Sequence, residues 1–344
     1  MRTKKLDAVL ISSAVNIRFI SGFTSSDGIV LVTENSMRLF SDFRYIIQAN
    51  QQLVKGFDFT EITRANQYEK LGDALEADGV QRLGFEDSTM AFADYQAVMP
   101  LVETLVPFSE ELDRLRVIKT ADEVAALKKA QAIADKAYST FLDGIKPGMS
   151  ERDLCAELVY ICTKLGSEGP AFEPIIGSGP NSAMCHAVVT DRKIKRGDLV
   201  VVDFGCVVDG YRSDMTRTFG VGKIDPELVT VYQIVREAQE LALRSLRAGI
   251  NGKALDAIAR EYITDKGYGE HFGHGLGHGI GLEVHEAPSA SEHSKDNLAP
   301  GMTITIEPGI YLEGRGGVRI EDCCVVTENG FINLVSSAKD LIII

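Results

Sequence analysis

Leu199 to Val202 is an unbroken aliphatic run, which reads as a strand buried on both faces, and Asp203 follows it where another apolar residue belongs. Asp209-Gly210 lies a few residues on and is the strongest short signal for a hairpin turn. If those two residues make the turn, Val208 faces Tyr211. Carrying that register back puts Asp203 opposite Thr216, with Asp214 diagonal to it on the same face. Two carboxylates so placed repel each other and lose hydration unless a cation or proton joins them. One aspartate solvated at a strand end is the plainer account of this pair taken alone.

A second hairpin repeats the arrangement. Thr303, Thr305 and Glu307 share one strand face, and a loop centred on Gly314 puts Glu307 opposite Glu321. Arg319 shares the face of Glu321, so a salt bridge from it to one of these glutamates is the competing account of the second pair. Pro308 cannot donate to a ladder, so the strand must bulge or end there and re-aim Glu307. Between the hairpins, every odd position from Gly273 to Gly281 is glycine, with His274 and His278 between them. This run is a poor helix, so the histidines are not a helical zinc pair. It predicts extended, closely approached backbone with both rings on one face. Four carboxylates and an imidazole would form a hard, oxygen-rich site suited to two divalent ions about 3.5–4 Å apart. Manganese, cobalt or iron suits such ligands better than a closed structural zinc site. A hydroxide between the ions would be the nucleophile. This chemistry alone leaves amide and phosphate-ester hydrolysis undistinguished.

The rest of the chain sets the frame. A net charge of −13 over 344 residues argues against nucleic acid and anionic membranes as partners. Neither a signal peptide nor a transmembrane run is expected, so the reading is cytoplasmic. The six cysteines form no Cys-x-x-Cys pair and are expected to be reduced. Residues 1–118 alternate strand-like and helix-like segments, with strands at 6–11, 28–32, 38–40 and 82–85 and helices over 42–52, 68–77 and 91–102. They predict an α/β domain without a nucleotide-binding glycine motif. A second domain, 119–344, opens on the capping box Thr120-Ala-Asp-Glu123. Its next helix is capped by Ser150, with Leu154, Leu158, Ile161 and Leu165 facing inward. Asp225-Pro226 starts a later pair of helices. Helix, helix, hairpin therefore occurs twice, which suggests two similar halves.

Several stretches, taken together and in order, resemble the proline-specific metallopeptidases of the pita-bread fold, aminopeptidase P and prolidase. They are Val-Val-Asp203-Phe-Gly, Ser-Asp214-Met-Thr-Arg-Thr, Gly-His274-Gly-Leu-Gly-His278-Gly-Ile-Gly-Leu-Glu-Val-His285-Glu, Thr-Ile-Glu307-Pro-Gly-Ile-Tyr and Gly-Val-Arg-Ile-Glu321-Asp. The resemblance implies an α+β pita-bread catalytic domain with an internal pseudo-two-fold repeat, behind a creatinase-like N-terminal domain. It implies Asp203, Asp214, His278, Glu307 and Glu321 as metal ligands, with Asp214 and Glu321 bridging. It also implies His186 and His285 as catalytic histidines, and His274 and Arg319 as substrate-side residues. Manganese is the expected metal, with cobalt, iron or zinc as alternatives, and a homodimer is the family expectation.

The implied activity is hydrolysis of Xaa-Pro bonds in dipeptides or at peptide N-termini, by a metal-bridging hydroxide. That bond is a tertiary amide without an N–H, so the leaving nitrogen needs a proton donor, and the ring needs an apolar slot. His186 or His285 would be the donor. A non-catalytic interaction protein on the same fold and another dinuclear metallohydrolase, such as a phosphoesterase, are the alternatives.

Overall fold

The computed structural model describes residue 1, residues 4–25 and residues 27–344. The chain divides into two compact units, Met1–Leu115 and Arg116–Ile344.

The first unit is built on a six-stranded sheet of order β4-β3-β2-β1-β5-β6. The strands are β1 (Ala8–Ile11), β2 (Ile29–Thr33), β3 (Met37–Ser41), β4 (Phe57–Glu61), β5 (Arg82–Phe85) and β6 (Thr104–Pro107). Strand β2 runs antiparallel to both neighbours, and the other pairings are parallel. Helices α1 (Ala14–Ser21), α2 (Ile46–Gln52) and α5 (Ser109–Val117) accompany one face, and α3 (Gln67–Ala77) and α4 (Phe92–Val98) the other. Both faces are therefore buried: Val9 and Ile11 enter one core, and Ala8 and Leu10 the other. The helix expected from Asp42 starts later, because Asp42 caps a 3-10 turn, Phe43–Tyr45, ahead of α2. Sequence reading gives no warning of α1, β4, β6 or α5. In β4, Phe57 and Phe59 are only half-buried at the sheet edge, which blurs the alternation that marks a strand.

In the second unit, α6 (Ala121–Gly144) opens on the Thr120–Glu123 capping box, and α7 (Glu151–Lys164) on a second one formed by Ser150 and Asp153. Because α7 ends at Lys164, Leu165 lies beyond the buried stripe and is exposed, contrary to the sequence expectation. Strands β7 (Ile175–Ser178), β8 (Leu199–Phe204) and β11 (Met215–Gly220) form one sheet in the order β11-β8-β7. The tip of the β8–β11 hairpin is the short pair β9 (Val207–Val208) and β10 (Tyr211–Arg212). Asp209 and Gly210 both have left-handed φ, 49° and 72°, as a type I′ turn requires. The register is as expected, with Val208 opposite Tyr211 and Asp203 opposite Thr216.

Helices α8 (Pro226–Ser245) and α9 (Gly252–Asp265) precede β12 (Gly277–Gly279) and β13 (Glu286–Ala290). The second hairpin is split into β14 (Thr303–Ile306) with β17 (Asp322–Thr327), and β15 (Gly309–Leu312) with β16 (Gly316–Arg319); β18 (Gly330–Asn333) flanks β17. One register runs through both parts, and the break falls at Glu307-Pro308 and Ile320-Glu321. Two apolar cores follow the two halves. Residues of α6, α7, β8 and β11 fill one, and residues of α8, α9 and β14–β17 the other. Cys323 enters the first core and Cys324 the second, as neighbours on one strand must. All six cysteines are free. The C-terminal residues 342–344 pair with the end of β11 through Gly220 and Gly222.

Candidate metal centre

Each break in the two hairpins releases a carboxylate. Beyond Asp203 and Phe204, the chain closes on itself at Gly205, where a Cβ would lie 1.8 Å from the Ser213 carbonyl oxygen. Asp214 stands just outside β11 on the other side of that crossing. In the second hairpin, Pro308 ends β14, and the Glu307 N–H donates to Leu276 O at 2.8 Å instead of to the partner strand. Leu276 belongs to the glycine-alternating run, which packs tightly as expected. A Cβ on Gly277 would lie 1.9 Å from Thr305 O. His278 is thereby pressed against β14, and its N–H donates to Thr305 Oγ1 at 3.0 Å.

Asp203, Asp214, His278, Glu307 and Glu321 meet at the floor of one cleft of about 870 Å³. Ligand atoms of Asp214, His278 and Glu321 lie within 4.8 Å of one another. His278 Nε2 is 3.2 Å from Glu307 Oε1 and 3.7 Å from Asp214 Oδ2. A carbonyl can only accept, so the 3.1 Å contact of His278 Nδ1 with Gly279 O fixes the hydrogen on Nδ1 and leaves Nε2 facing the carboxylates. Thr216 Oγ1 donates to Glu321 Oε2 at 2.7 Å, and Thr305 Oγ1 to Glu307 Oε1 at 3.0 Å.

Three oxygens here, Asp203 Oδ1, Asp214 Oδ1 and Glu321 Oε1, are buried without any hydrogen-bond partner. Stranded carboxylate oxygens are costly unless a cation meets them. Burial first, then repulsion by the neighbouring acids, pushes the Asp214 and Glu321 carboxyls well above the usual carboxylate range. Glu307 goes the other way: burial would raise it, but the hydrogen bond and charge of His278 outweigh that and pull it down. His278 is raised in turn, Glu307 overcoming the effect of burial. The donor set, the converging oxygens and the orientation of the imidazole fit divalent metal ions.

Arg319 does not bridge either glutamate of its own hairpin. Its Nη2 binds Asp203 Oδ2 at 2.5 Å, across on the first hairpin. The β16 backbone there lies beside β11, with Arg319 N–H donating to Thr218 Oγ1. The remaining donors go to Thr216 Oγ1, Cys185 O and Tyr311 Oη. Tyr311 lies within the Glu-Pro-Gly-Ile-Tyr stretch, yet sequence reading gives it no role. It joins Arg319 to His274, with Oη 2.9 Å from His274 Nε2. His274 Nδ1 is turned to Gly275 O, so Nε2 accepts from the tyrosine, and burial lowers the pKa of this histidine. His186 and His285 both line the cleft. The His285 ring sits edge-on to that of His278 at 4.3 Å, and burial, then the His278 charge, lower its pKa. The cleft is also lined by the apolar residues Phe172, Pro174, Ile175, Val188, Val189 and Val284, and Ile175 is the β7 neighbour of Asp203 across the ladder.

Comparison with known proteins agrees with this geometry. Residues 125–328 match the model of metallopeptidase family M24, and residues 1–118 that of the creatinase/prolidase N-terminal domain. The chain belongs to metallopeptidase family M24. Among curated M24 relatives, the Xaa-Pro dipeptidase of Pyrococcus horikoshii is 39% identical, over 99% of this chain and 96% of that one. A solved Xaa-Pro dipeptidase from Bacillus anthracis superposes with a TM-score of 0.96 at 40% identity, covering 100% of this chain and 96% of that one. A solved X-Pro aminopeptidase from Thermotoga maritima does so with a TM-score of 0.93 at 35% identity, both chains being covered completely. The M24 unit thus has the pita-bread fold, and family membership makes the chain a metallopeptidase that uses divalent metal. Among the described residues, no helix is long and apolar enough to cross a membrane.

Proposed function

We propose that this chain is an Xaa-Pro dipeptidase. The carrying observation is that one cleft is lined both by the five carboxylate and imidazole groups and by a set of apolar side chains, which suits a dipeptide ending in a proline ring. The close relatives named for Xaa-Pro hydrolysis support the substrate class. Asp203, Asp214, His278, Glu307 and Glu321 would hold two divalent cations, and the oxygen-rich set favours manganese. When bound, such cations polarise the scissile carbonyl and lower the pKa of water to the neutral range.

The chain's own residues do the rest. Arg319 holds Asp203, Thr216 holds Glu321 and Thr305 holds Glu307, which orients the three carboxylates. The apolar side chains exclude water from around the proline ring. The prolyl nitrogen leaves without an N–H of its own and must gain a proton, which an imidazole nitrogen of His285 or His186 supplies at the cleft surface. His274 is held in place by Tyr311, whose Oη lies 2.9 Å from its Nε2.

The Thermotoga structure keeps a second reading in view, cleavage of longer peptides. Ala-Pro and an Xaa-Pro-Xaa tripeptide, each offered with manganese, separate the two: turnover of the dipeptide alone is expected. Asp203→Asn and Glu307→Gln should lose metal and activity while circular dichroism stays native. Full turnover by either variant contradicts the ligand assignment.

A further inference from the structure

Among the buried charge clusters outside the proposed ligand set is one that joins Glu286 to Arg116 and Lys119. The Glu286 side chain is 4% exposed, and those of Arg116 and Lys119 are 6% and 1%. Lys119 Nζ is 3.0 Å from Glu286 Oε2, and Arg116 Nη1 is 3.4 Å from Oε1. Arg116 Nη2 also binds Glu283 Oε2 at 2.7 Å. Desolvated ion pairs of this kind are often no better for stability than apolar packing of equal volume, so their presence asks for a reason other than folding energy.

The reason lies in what the carboxylate fills. Residues 281–286 form a tight turn with the Glu286 carboxylate inside it. Glu286 Oε1 accepts the Glu283 N–H at 3.0 Å, and the Gly281 N–H donates to Glu283 O at 3.0 Å. A Cβ on Gly281 would lie 2.5 Å from Glu286 Oε1, so the glycine makes room for the acid. From outside, the Arg212 N–H and Nε donate to Gly281 O and Leu282 O. The Lys119 N–H donates to Gly301 O at 2.9 Å, which ties the cationic segment to the start of β14. The two residues this turn leaves facing the cleft are Val284 and His285.

We propose that Glu286, clamped by Arg116 and Lys119, is a positioning residue that sets the His285 imidazole beside His278. The proposal rests on the Xaa-Pro reading for its catalytic consequence. It acts through geometry, since misplacing a proton donor by a fraction of its reach slows the step it serves without weakening substrate binding.

Two variants of the full-length, metal-loaded protein test it from opposite sides. Glu286→Gln keeps the shape and removes the charge; Gly281→Ala keeps every charge and pushes the carboxylate aside. In each, kcat for Ala-Pro should fall about tenfold or more with KM little changed, as for an interaction made only in the transition state. Metal content should be unaltered. Combined with His285→Ala, neither change should slow the enzyme further, because both act through the same ring. In the zinc-loaded protein, the ring nitrogen resonances of His285 should shift in both variants while those of His186 stay in place. An undiminished kcat, full additivity with His285→Ala, or unmoved His285 resonances overturns the proposal. If Glu286→Gln fails to fold, Gly281→Ala carries the test. If the wild type cleaves no Xaa-Pro dipeptide, the substrate reading falls, and the resonances alone decide the place of Glu286.

Discussion

Arg319 is a buried cation that stays charged because each face of its guanidinium fork meets an acceptor: Thr216, Cys185 O, Tyr311 and Asp203. A lysine would keep the charge and lose the planar fork that reaches these acceptors together. Arg319→Lys should therefore lower kcat/KM for Ala-Pro by about tenfold or more, a loss of ~1.4 kcal/mol of transition-state stabilisation, measured in steady-state kinetics. Metal content measured beside it should fall only slightly, since Asp203 keeps a cation nearby. Alternation along a strand is enough to put Arg319 on the face of Glu321. Its choice of Asp203 is invisible to such a pattern, because the acceptor sits 116 positions away on another hairpin.

At the scale of elements, the site depends on two hairpins that stop pairing at the right place. In the first, Gly205 permits the chain crossing beside Asp203, and Ser213 completes it by accepting the Cys206 N–H on its Oγ at 2.9 Å. Gly205→Ala forces the strands apart there, and overpacking of this kind costs about 3 kcal/mol, read as a lower denaturant midpoint with an unchanged m-value. Metal affinity should drop with it, because Asp203 and Asp214 flank the crossing. The hairpin turn, the proline break and both registers are legible in the sequence, since turn chemistry and two-residue periodicity are local. Edge strand β4 is not, because its half-buried phenylalanines lack a clean apolar face.

For the whole molecule, the acidic cluster makes metal content a matter of stability. Asp214 and Glu321 have folded-state pKa values raised above the unfolded ones. In the metal-free protein, the stability they lend as acids is complete below the unfolded carboxyl range and is lost as pH rises toward their folded values. Glu307, whose folded pKa is lowered, has the opposite sign: its contribution holds above the ordinary range and fades as pH falls through the depressed value. Stripping the metal with a chelator should abolish turnover and lower the melting temperature at neutral pH, and manganese should restore both. The melting gain on adding metal should shrink as the pH is lowered, because protons on Asp214 and Glu321 compete with the cations. Calorimetry in buffers of different ionisation heat should show protons released as metal binds.

The sequence by itself determined the capped helices, the turn at Asp209-Gly210, both hairpin registers, the glycine run that must lie against another backbone, and the acidic and imidazole groups that crowd one face. All of these rest on interactions between residues near in the chain or paired across one turn. Only the tertiary structure decided that Arg319 answers Asp203, that Tyr311 links Arg319 to His274, and that a buried Glu286 shapes the turn carrying His285. Those partners lie far apart along the chain, and packing of separate elements, which no local pattern encodes, brings them together.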